Sequence, residues 1–170
     1  DYSILSEEIG EIKKKNSDCR WIIDPIDGTF NFLRSIPHFA ISVALEKNDE
    51  IICGVIFDPI KNEMFLAEKN YGAYLNNQKI RVSKNNKINE SLILTGGPSL
   101  SEKNRSESIN EYTKISLHAP SSLRKMGSAA LDMAYVSAGR ADAFFQRNLK
   151  YWDIAAGIIL IKEAGGIVTD

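Results

Sequence analysis

Six short runs of β-forming residues fill the first half of this 170-residue chain and limit the folds open to it. The runs cover residues 21–24, 39–46, 51–58, 63–68, 73–75 and 80–82. The pairs Asn48-Asp49 and Asn76-Asn77 separate apolar runs, as the turns of β-hairpins do. Residues 41–46 alternate between large apolar and small or polar side chains. We therefore predict that residues 1–90 form mainly an antiparallel sheet with one buried face.

Residues 91–170 show the different pattern of strands that alternate with helices. We predict strands at residues 91–95 and 141–146, and helices at residues 101–115, 131–138 and 152–164. Ser101 is expected to cap the first helix, and Gly165-Gly166 to end the last. This order predicts an α/β (α+β) chain. Because typical domains have roughly 100–200 residues, we expect residues 1–170 to form a single domain.

The composition excludes several classes of protein. With 44% hydrophobic residues, the chain has enough apolar side chains for a packed core. Its 21 basic and 22 acidic residues give a net charge of −1, which argues against nucleic acid or an anionic membrane as the main partner. No apolar run approaches the roughly 18 residues that cross a bilayer. Two cysteines in apolar surroundings indicate reduced thiols, and hence a cytoplasmic protein.

An apolar run that ends in two aspartates is the strongest chemical signal in the sequence. It reads WIIDPID and places Asp24 and Asp27 three positions apart. Because Pro25 lacks an N–H group, we expect the strand to stop there. The two carboxylates would then converge across a tight turn, with the Ile26 carbonyl between them. Such oxygen donors suit Mg²⁺, which usually also keeps waters and a substrate phosphate.

The residues that follow suit a phosphate. Gly28 lets a ligand approach the backbone closely, so the N–H groups of Gly28 and Thr29 could bind phosphate oxygens. A simple Pro-x-Asp-Gly turn would use the same residues for its geometry alone. The spacing by itself therefore leaves the metal site and the plain turn equally open.

Two further acidic runs have structural interpretations when each is taken alone. Asp153 follows Trp152 at the start of the last predicted helix, where Asp is most often a cap. Glu7 and Glu8 follow Ser6 in a short polar segment typical of a surface. Neither run by itself indicates a metal site.

Together, the three runs resemble the inositol monophosphatase family. WIIDPIDGTFNF is similar to the first signature of that family, Asp-Pro-x-Asp-Gly-Thr after a hydrophobic strand. WDIAAGIILIKEAGG resembles its second signature, and SILSEE resembles its upstream acidic segment. GVIFDPIKNEMFLAEKNYGAYLNNQKIRVS fits its middle part. The resemblance extends from about Ser3 to the end of the chain.

The resemblance implies a layered α/β/α/β/α sandwich of the inositol monophosphatase/fructose-1,6-bisphosphatase type. The N-terminal helices and C-terminal end of that fold would lie outside these 170 residues. It also implies a lithium-sensitive homodimer that hydrolyses a small phosphate monoester with metal-activated water and two or three Mg²⁺ ions. The substrate would be an inositol monophosphate or a related sugar or polyol phosphate.

The same resemblance assigns roles to individual residues. The implied metal ligands are Glu7, Asp24, the carbonyl of Ile26, Asp27 and Asp153. The implied phosphate-binding residues are Gly28 and Thr29, and the implied catalytic residues are Glu7, Asp24 and Thr29. The implied substrate contacts are Asp27, Ala129, Gln146 and Asp153.

Three departures from the family pattern leave alternatives open. Ser6 stands where the family commonly has Gly, so Glu8 is an alternative to Glu7 as the ligand. Gln146 stands where inositol phosphatases usually have Glu, so the preference for inositol over other sugar or polyol phosphates stays open. A water-activating aspartate of the family would lie before residue 1.

The alternative functions belong to two classes. Within the enzyme class, the alternatives are a fructose-1,6-bisphosphatase, a histidinol-phosphate phosphatase and a 3′-phosphonucleotide phosphatase. In another class, the chain would be a regulatory protein that binds the transcription or ribosome-biogenesis machinery.

Overall fold

An eight-stranded sheet is the largest element of the computed structural model, which describes residues 2–96, 102–119 and 122–169. The strands are β1 (Ser3–Ser6), β2 (Gly10–Ile12), β3 (Cys19–Asp27), β4 (Ala40–Lys47), β5 (Glu50–Asp58), β6 (Glu63–Glu68), β7 (Gly72–Leu75) and β8 (Gln78–Lys79). Their order is β2-β1-β3-β4-β5-β6-β7-β8, and among the described strands of this sheet only β1 and β3 pair in parallel. The mainly antiparallel sheet predicted for the first half is confirmed.

The asparagine turns have the geometry that hairpins require. Asn48 and Asp49 have φ values of 50° and 61°, and Asn76 and Asn77 have 45° and 68°. These left-handed conformations match the twist of paired strands. The strand predicted at residues 80–82 is wrong, because β8 ends at Lys79.

A second sheet, four α-helices and a short 3-10 helix (Ile88–Glu90) complete the described part of the chain. The parallel sheet has the order β10-β9-β11 and consists of β9 (Ile93–Thr95), β10 (Leu123–Arg124) and β11 (Ala143–Phe145). The helices are α1 (Thr29–Leu33), α2 (Glu102–His118), α3 (Ala129–Ser137) and α4 (Tyr151–Glu163). The three long helices were predicted, whereas α1 was not. The predicted cap at Ser101 lies outside the described residues.

Helices α3 and α4 lie between the two sheets. Leu131 of α3 and Leu160 of α4 belong to the core that contains Ile22 and Ile56 of the large sheet. Other residues of the two helices form a second core with the small sheet, namely Met133, Val136, Ile161 and Leu94. This sheet–helix–sheet order is a mixed α/β architecture. Among the described helices, none is both long enough and apolar enough to cross a bilayer.

Strand β4 buries its small and polar residues rather than its large apolar ones. Ser42, Ala44 and Glu46 are at most 5% exposed, whereas Ile41 is 41% exposed. A Cβ atom added to Gly54 of β5 would lie 2.8 Å from the Cα atom of Ala156 in α4. Helix α4 therefore leaves no room for a side chain at position 54, and the residues of β4 beneath the helices include the small Ser42 and Ala44. The predicted alternation is confirmed, and its buried side is the side of small residues.

Candidate metal and phosphate site

Strand β3 does not stop at Pro25, so that prediction is wrong. It continues to Asp27, and its pairing with β4 shifts register between Asp24, opposite Ser42, and Asp27, opposite Ala40. Three steps along β3 thus match two along β4, which is a β-bulge. A bulge leaves one residue unpaired and so tolerates a proline without an N–H group.

The bulge brings the two aspartates to the same face of the sheet. Side chains three positions apart in a regular strand point to opposite faces. The extra residue of the bulge brings both side chains to the same face, where Asp24 (1% exposed) and Asp27 (9% exposed) are buried. The backbone N–H of Ile26 donates to Asp24 Oδ1 at 3.0 Å, which fixes the first carboxylate within the bulge.

Asp153 completes a cluster of three carboxylates. It lies in the first turn of α4, and one oxygen each of Asp24, Asp27 and Asp153 lie within 4.8 Å of one another. Asp153 Oδ2 also accepts a hydrogen bond from the Lys150 N–H at 2.7 Å. The capping interpretation of Asp153 is therefore observed, and the same side chain is also available to a metal.

Burial and mutual repulsion disfavour the ionised forms of the clustered carboxylates. Burial and the nearby charges of Asp27 and Glu7 raise the pKa of Asp24 to about 8. Burial and the charges of Asp27 and Glu7 raise the pKa of Asp153 to about 6, although the hydrogen bond from the Lys150 amide acts in the opposite direction. A bound divalent cation would stabilise the ionised forms and accepts carboxylate oxygens readily. The residues present therefore fit a hard divalent cation.

Asp27 is held by the N-terminus of α3. The hydroxyl of Ser128 and the N–H of Ala130, at 2.8 Å, both donate to Asp27 Oδ2. Burial raises the pKa of Asp27, while these bonds and the amide of Ala129 lower it. This contact was not predicted from the sequence. The available signal was the Gly-Ser sequence before the helix, because Ser is a strong N-cap.

The loop after Asp27 is closed tightly around Gly28. Gly28 has a φ of 91°, and an added Cβ atom would lie 3.2 Å from the carbonyl oxygens of Gly127 and His38. Asn31 Nδ2 donates to the carbonyls of His38 at 2.8 Å and Met126 at 2.9 Å. Asn31 therefore joins this loop to the segment that leads into α3.

Thr29 and Ile26 interact with each other. The exposed hydroxyl of Thr29 donates to the Ile26 carbonyl at 3.1 Å. The carbonyl expected to ligate a metal and the hydroxyl expected to orient water therefore lie side by side, next to the carboxylate cluster.

Glu7 and Gln146 lie outside the carboxylate group. Glu7 is exposed, and its backbone N–H donates to the Ile23 carbonyl at 3.3 Å. Its charge nevertheless raises the pKa of all three aspartates, so it faces the cluster at longer range. Gln146 covers Gly96 and lines a groove of about 740 Å³ beside α3 and α4. The roles implied for these two residues stay predictions.

Comparisons with a family profile and with known proteins agree on one family. The profile of the Inositol monophosphatase family matches residues 1–170. An inositol-1-monophosphatase of Rhizobium meliloti is 47% identical over 169 residues, which are 99% of this chain and 63% of that protein. A Nus factor SuhB of Xylella fastidiosa is 46% identical over 170 residues, which are 100% of this chain and 61% of that protein.

A solved structure gives the same result for the fold. The extragenic suppressor protein suhB from Bartonella henselae matches with a TM-score of 0.94 and 45% identity, over 99% of this chain and 64% of that one. The chain thus spans less than two thirds of the length of these relatives. The bulged strand with its two signature aspartates, the sheet–helix–sheet layers and these matches lead to one conclusion: the chain belongs to the inositol monophosphatase family and has the α/β sandwich fold of that family.

Proposed function

We propose that the protein is a Mg²⁺-dependent phosphatase that hydrolyses a small phosphate monoester. The substrate is an inositol monophosphate or a related sugar or polyol phosphate. The observation that carries this proposal is the grouping of Asp24, Asp27 and Asp153 within 4.8 Å beside a glycine-containing loop. Family membership and the name of the Rhizobium relative support the same chemistry.

The proposed metal ligands are the three aspartates, Glu7 and the carbonyl of Ile26, which together would hold two or three Mg²⁺ ions. When bound, such ions lower the pKa of water, neutralise phosphate charge and stabilise the departing alkoxide. The donors from Ser128 and Ala130 keep Asp27 in place before any ligand arrives. Preorganised ligands of this kind reduce the reorganisation that binding requires.

The remaining residues bind and orient the substrate. The N–H groups of Gly28 and Thr29 bind the phosphate oxygens, and the Thr29 hydroxyl orients the attacking water. Ala129 contacts the substrate alcohol through its backbone, and the Gln146 amide hydrogen-bonds its hydroxyl groups. Water attacks phosphorus in line: the new P–O bond forms as the bond to the alcohol breaks, and a proton goes to the departing alkoxide. No phosphoenzyme forms, so phosphate gains one oxygen from solvent in a single step.

A phosphate-release assay on the complete protein tests this function. The substrates are inositol 1-phosphate, fructose 1,6-bisphosphate, histidinol phosphate and adenosine 3′,5′-bisphosphate, each with Mg²⁺ and with EDTA. We expect Mg²⁺-dependent release from the first, and a loss of about 100-fold or more in Asp24→Asn, because even residues that only support metal ligands contribute 10–100-fold.

Asp18→Asn is the matched control, because the Asp18 carboxylate is exposed and forms a long surface ion pair with Lys47 Nζ at 3.8 Å. It should retain full activity. Undiminished Mg²⁺-dependent release by Asp24→Asn would contradict the proposal, and preferred cleavage of another substrate would replace its substrate class.

A regulatory role is the second candidate, because the Xylella relative is named a Nus factor. In this case the protein would bind the transcription or ribosome-biogenesis machinery. Retention of RNA polymerase by the complete protein, with a cellular phenotype that Asp24→Asn leaves unchanged, would favour this role. Loss of function in that variant would favour the phosphatase.

The cellular setting is also part of the proposal. The resemblance supports a homodimer, lithium sensitivity and a cytoplasmic location, with no membrane or nucleic-acid substrate. Both described cysteines are free thiols, in agreement with a reducing compartment.

A further inference from the structure

A buried carboxylate on β4 attaches the start of α4 to the large sheet. Glu46 is 5% exposed, and both of its oxygens have partners. Arg20 of β3 donates to Glu46 Oε1 from Nε at 3.0 Å and from Nη2 at 2.7 Å. The hydroxyl of Tyr151, the first residue of α4, donates to Glu46 Oε2 at 2.6 Å. A carboxylate this deeply buried requires such partners, so the three side chains form one connected group.

A second bond from the same strand reaches the next residue of the helix. Ser42, four residues before Glu46 on the buried face of β4, donates to the carbonyl of Trp152 at 3.5 Å. Ser42 also lies opposite Asp24 in the pairing of β3 with β4. One strand thus holds the first turn of α4 and pairs with the strand that carries Asp24.

These attachments determine where Asp153 lies. Its carboxylate is bonded to the N–H of Lys150, so it is fixed relative to the start of its own helix. Its position relative to Asp24 and Asp27 therefore depends on how the start of α4 is attached to the sheet. Charge-assisted hydrogen bonds are short and directional, whereas apolar packing tolerates small displacements more easily.

We propose that Tyr151, acting through Glu46 and Arg20, is a positioning residue that sets the distance of Asp153 from the other two aspartates and so determines the affinity for Mg²⁺. This inference rests on the proposed function, since it takes the cluster to be a metal site. It assigns to a tyrosine outside the signature residues a role in metal binding without contact with the metal.

The test is the affinity of Tyr151→Phe for Mg²⁺ alone, measured by calorimetry on the complete protein. We expect the Kd for Mg²⁺ to rise roughly 10-fold, the lower end of what supporting residues of metal sites contribute. The Mg²⁺ concentration for half-maximal phosphate release should rise by the same factor. The kcat at saturating Mg²⁺ should change by less than about 2-fold, because bound metal restores the geometry.

Tyr74→Phe is the matched control. Like Tyr151→Phe, it removes one tyrosine hydroxyl. The Tyr74 hydroxyl lies on the exposed side of the sheet and donates to the Tyr71 carbonyl at 3.1 Å. Its Kd for Mg²⁺ should equal that of the unsubstituted protein. An equal Kd for Tyr151→Phe and Tyr74→Phe would overturn the inference.

A second variant separates positioning from general destabilisation. Glu46→Gln keeps an acceptor for the Tyr151 hydroxyl but removes the charge that Arg20 faces, and it should also weaken Mg²⁺ binding. Tyr151→Phe and Glu46→Gln break the same connected group. The double variant should therefore have about the same Kd for Mg²⁺ as the single variant with the higher Kd. A Kd that rises by the product of the two single effects would overturn the inference.

Failure of the proposed function gives a different result. An unsubstituted protein that neither binds Mg²⁺ nor releases phosphate overturns both proposals. An unsubstituted protein that does both, with the Kd of Tyr151→Phe unchanged, overturns only the positioning role.

Discussion

At the scale of single residues, Ser128 combines a structural and a ligand-orienting hydrogen bond. Its hydroxyl donates to Asp27 Oδ2 and accepts from the Leu131 N–H at 3.3 Å, as an N-cap does. Ser128→Ala should therefore lower the free energy of unfolding by about 1–3 kcal/mol, since it removes a cap and leaves a buried carboxylate with one donor fewer. Urea denaturation of the metal-free protein measures this loss.

Ser137→Ala is the control for Ser128, because Ser137 is buried in the same helix and its hydroxyl donates to the Ala134 carbonyl at 2.7 Å. That carbonyl also accepts the helical N–H of Ala138, so the control should cost less than Ser128→Ala. Equal losses in the two variants would show that Asp27 gains nothing from the Ser128 hydroxyl.

The sequence predicted the carboxylates of the site but not the residues that hold them. Asp24, Asp27 and Asp153 lie in short local patterns that a reader can find along the chain. Ser128 meets Asp27 across 101 residues, and Glu46 meets Tyr151 across 105. Contacts at such separations follow from the packing of α3 and α4 on the sheet, which local patterns do not specify. The bulge at Pro25 was missed because a proline ends a regular strand and is tolerated in an irregular one.

At the scale of elements, the contact between α4 and β5 depends on a residue without a side chain. A Cβ atom at position 54 would lie 2.8 Å from both Ala156 Cα and Ile159 Cγ2. The alternation in β4 could not show which face is buried, because both faces alternate with the same period. The close approach of α4 decides it: the face with small residues is the one that the helix covers.

Gly54→Ala tests this close approach. The added methyl group meets helix backbone that cannot rotate away, so we expect a loss of roughly 1–3 kcal/mol in the free energy of unfolding. Cys53→Ala is the comparison, because Cys53 is the neighbouring, half-buried residue whose side chain points to the other face. It should cost less than Gly54→Ala in the same urea titration. A larger loss in Cys53→Ala would contradict the proposed tight contact.

At the scale of the whole molecule, a net charge of −1 conceals a local concentration of negative charge. Three buried or half-buried aspartates lie together, and the charge of Glu7 acts on each of them. A fourth, Asp132 in α3, has its pKa raised to about 8 by burial and by Asp27. The folded state therefore binds protons more tightly than the unfolded chain does, and this difference makes stability depend on pH.

The sign of that dependence gives a prediction for the metal-free protein. The folded pKa values of about 8 for Asp24 and about 6 for Asp153 lie above the ordinary value of 3.8. The stability that these groups contribute is complete below the ordinary value and is lost as the pH rises through 6 and then 8. In EDTA, the Tm should therefore fall between about pH 6 and pH 8 and level off above pH 8, and in Asp24→Asn this fall should be shallower.

Mg²⁺ should reverse this trend, because it binds the ionised carboxylates and competes with protons. At about 100 times its Kd, a ligand adds roughly 2.7 kcal/mol to the free energy of unfolding. The increase in Tm that Mg²⁺ produces should therefore be small near pH 6 and grow towards pH 9, as measured by thermal unfolding at fixed ionic strength. KCl at matched ionic strength is the control, since it screens charge without occupying the cluster.

A Tm in EDTA that stays level or rises with pH would contradict the clustering of carboxylates as the source of the dependence. An equal gain from KCl would show that screening, rather than a bound cation, stabilises the fold.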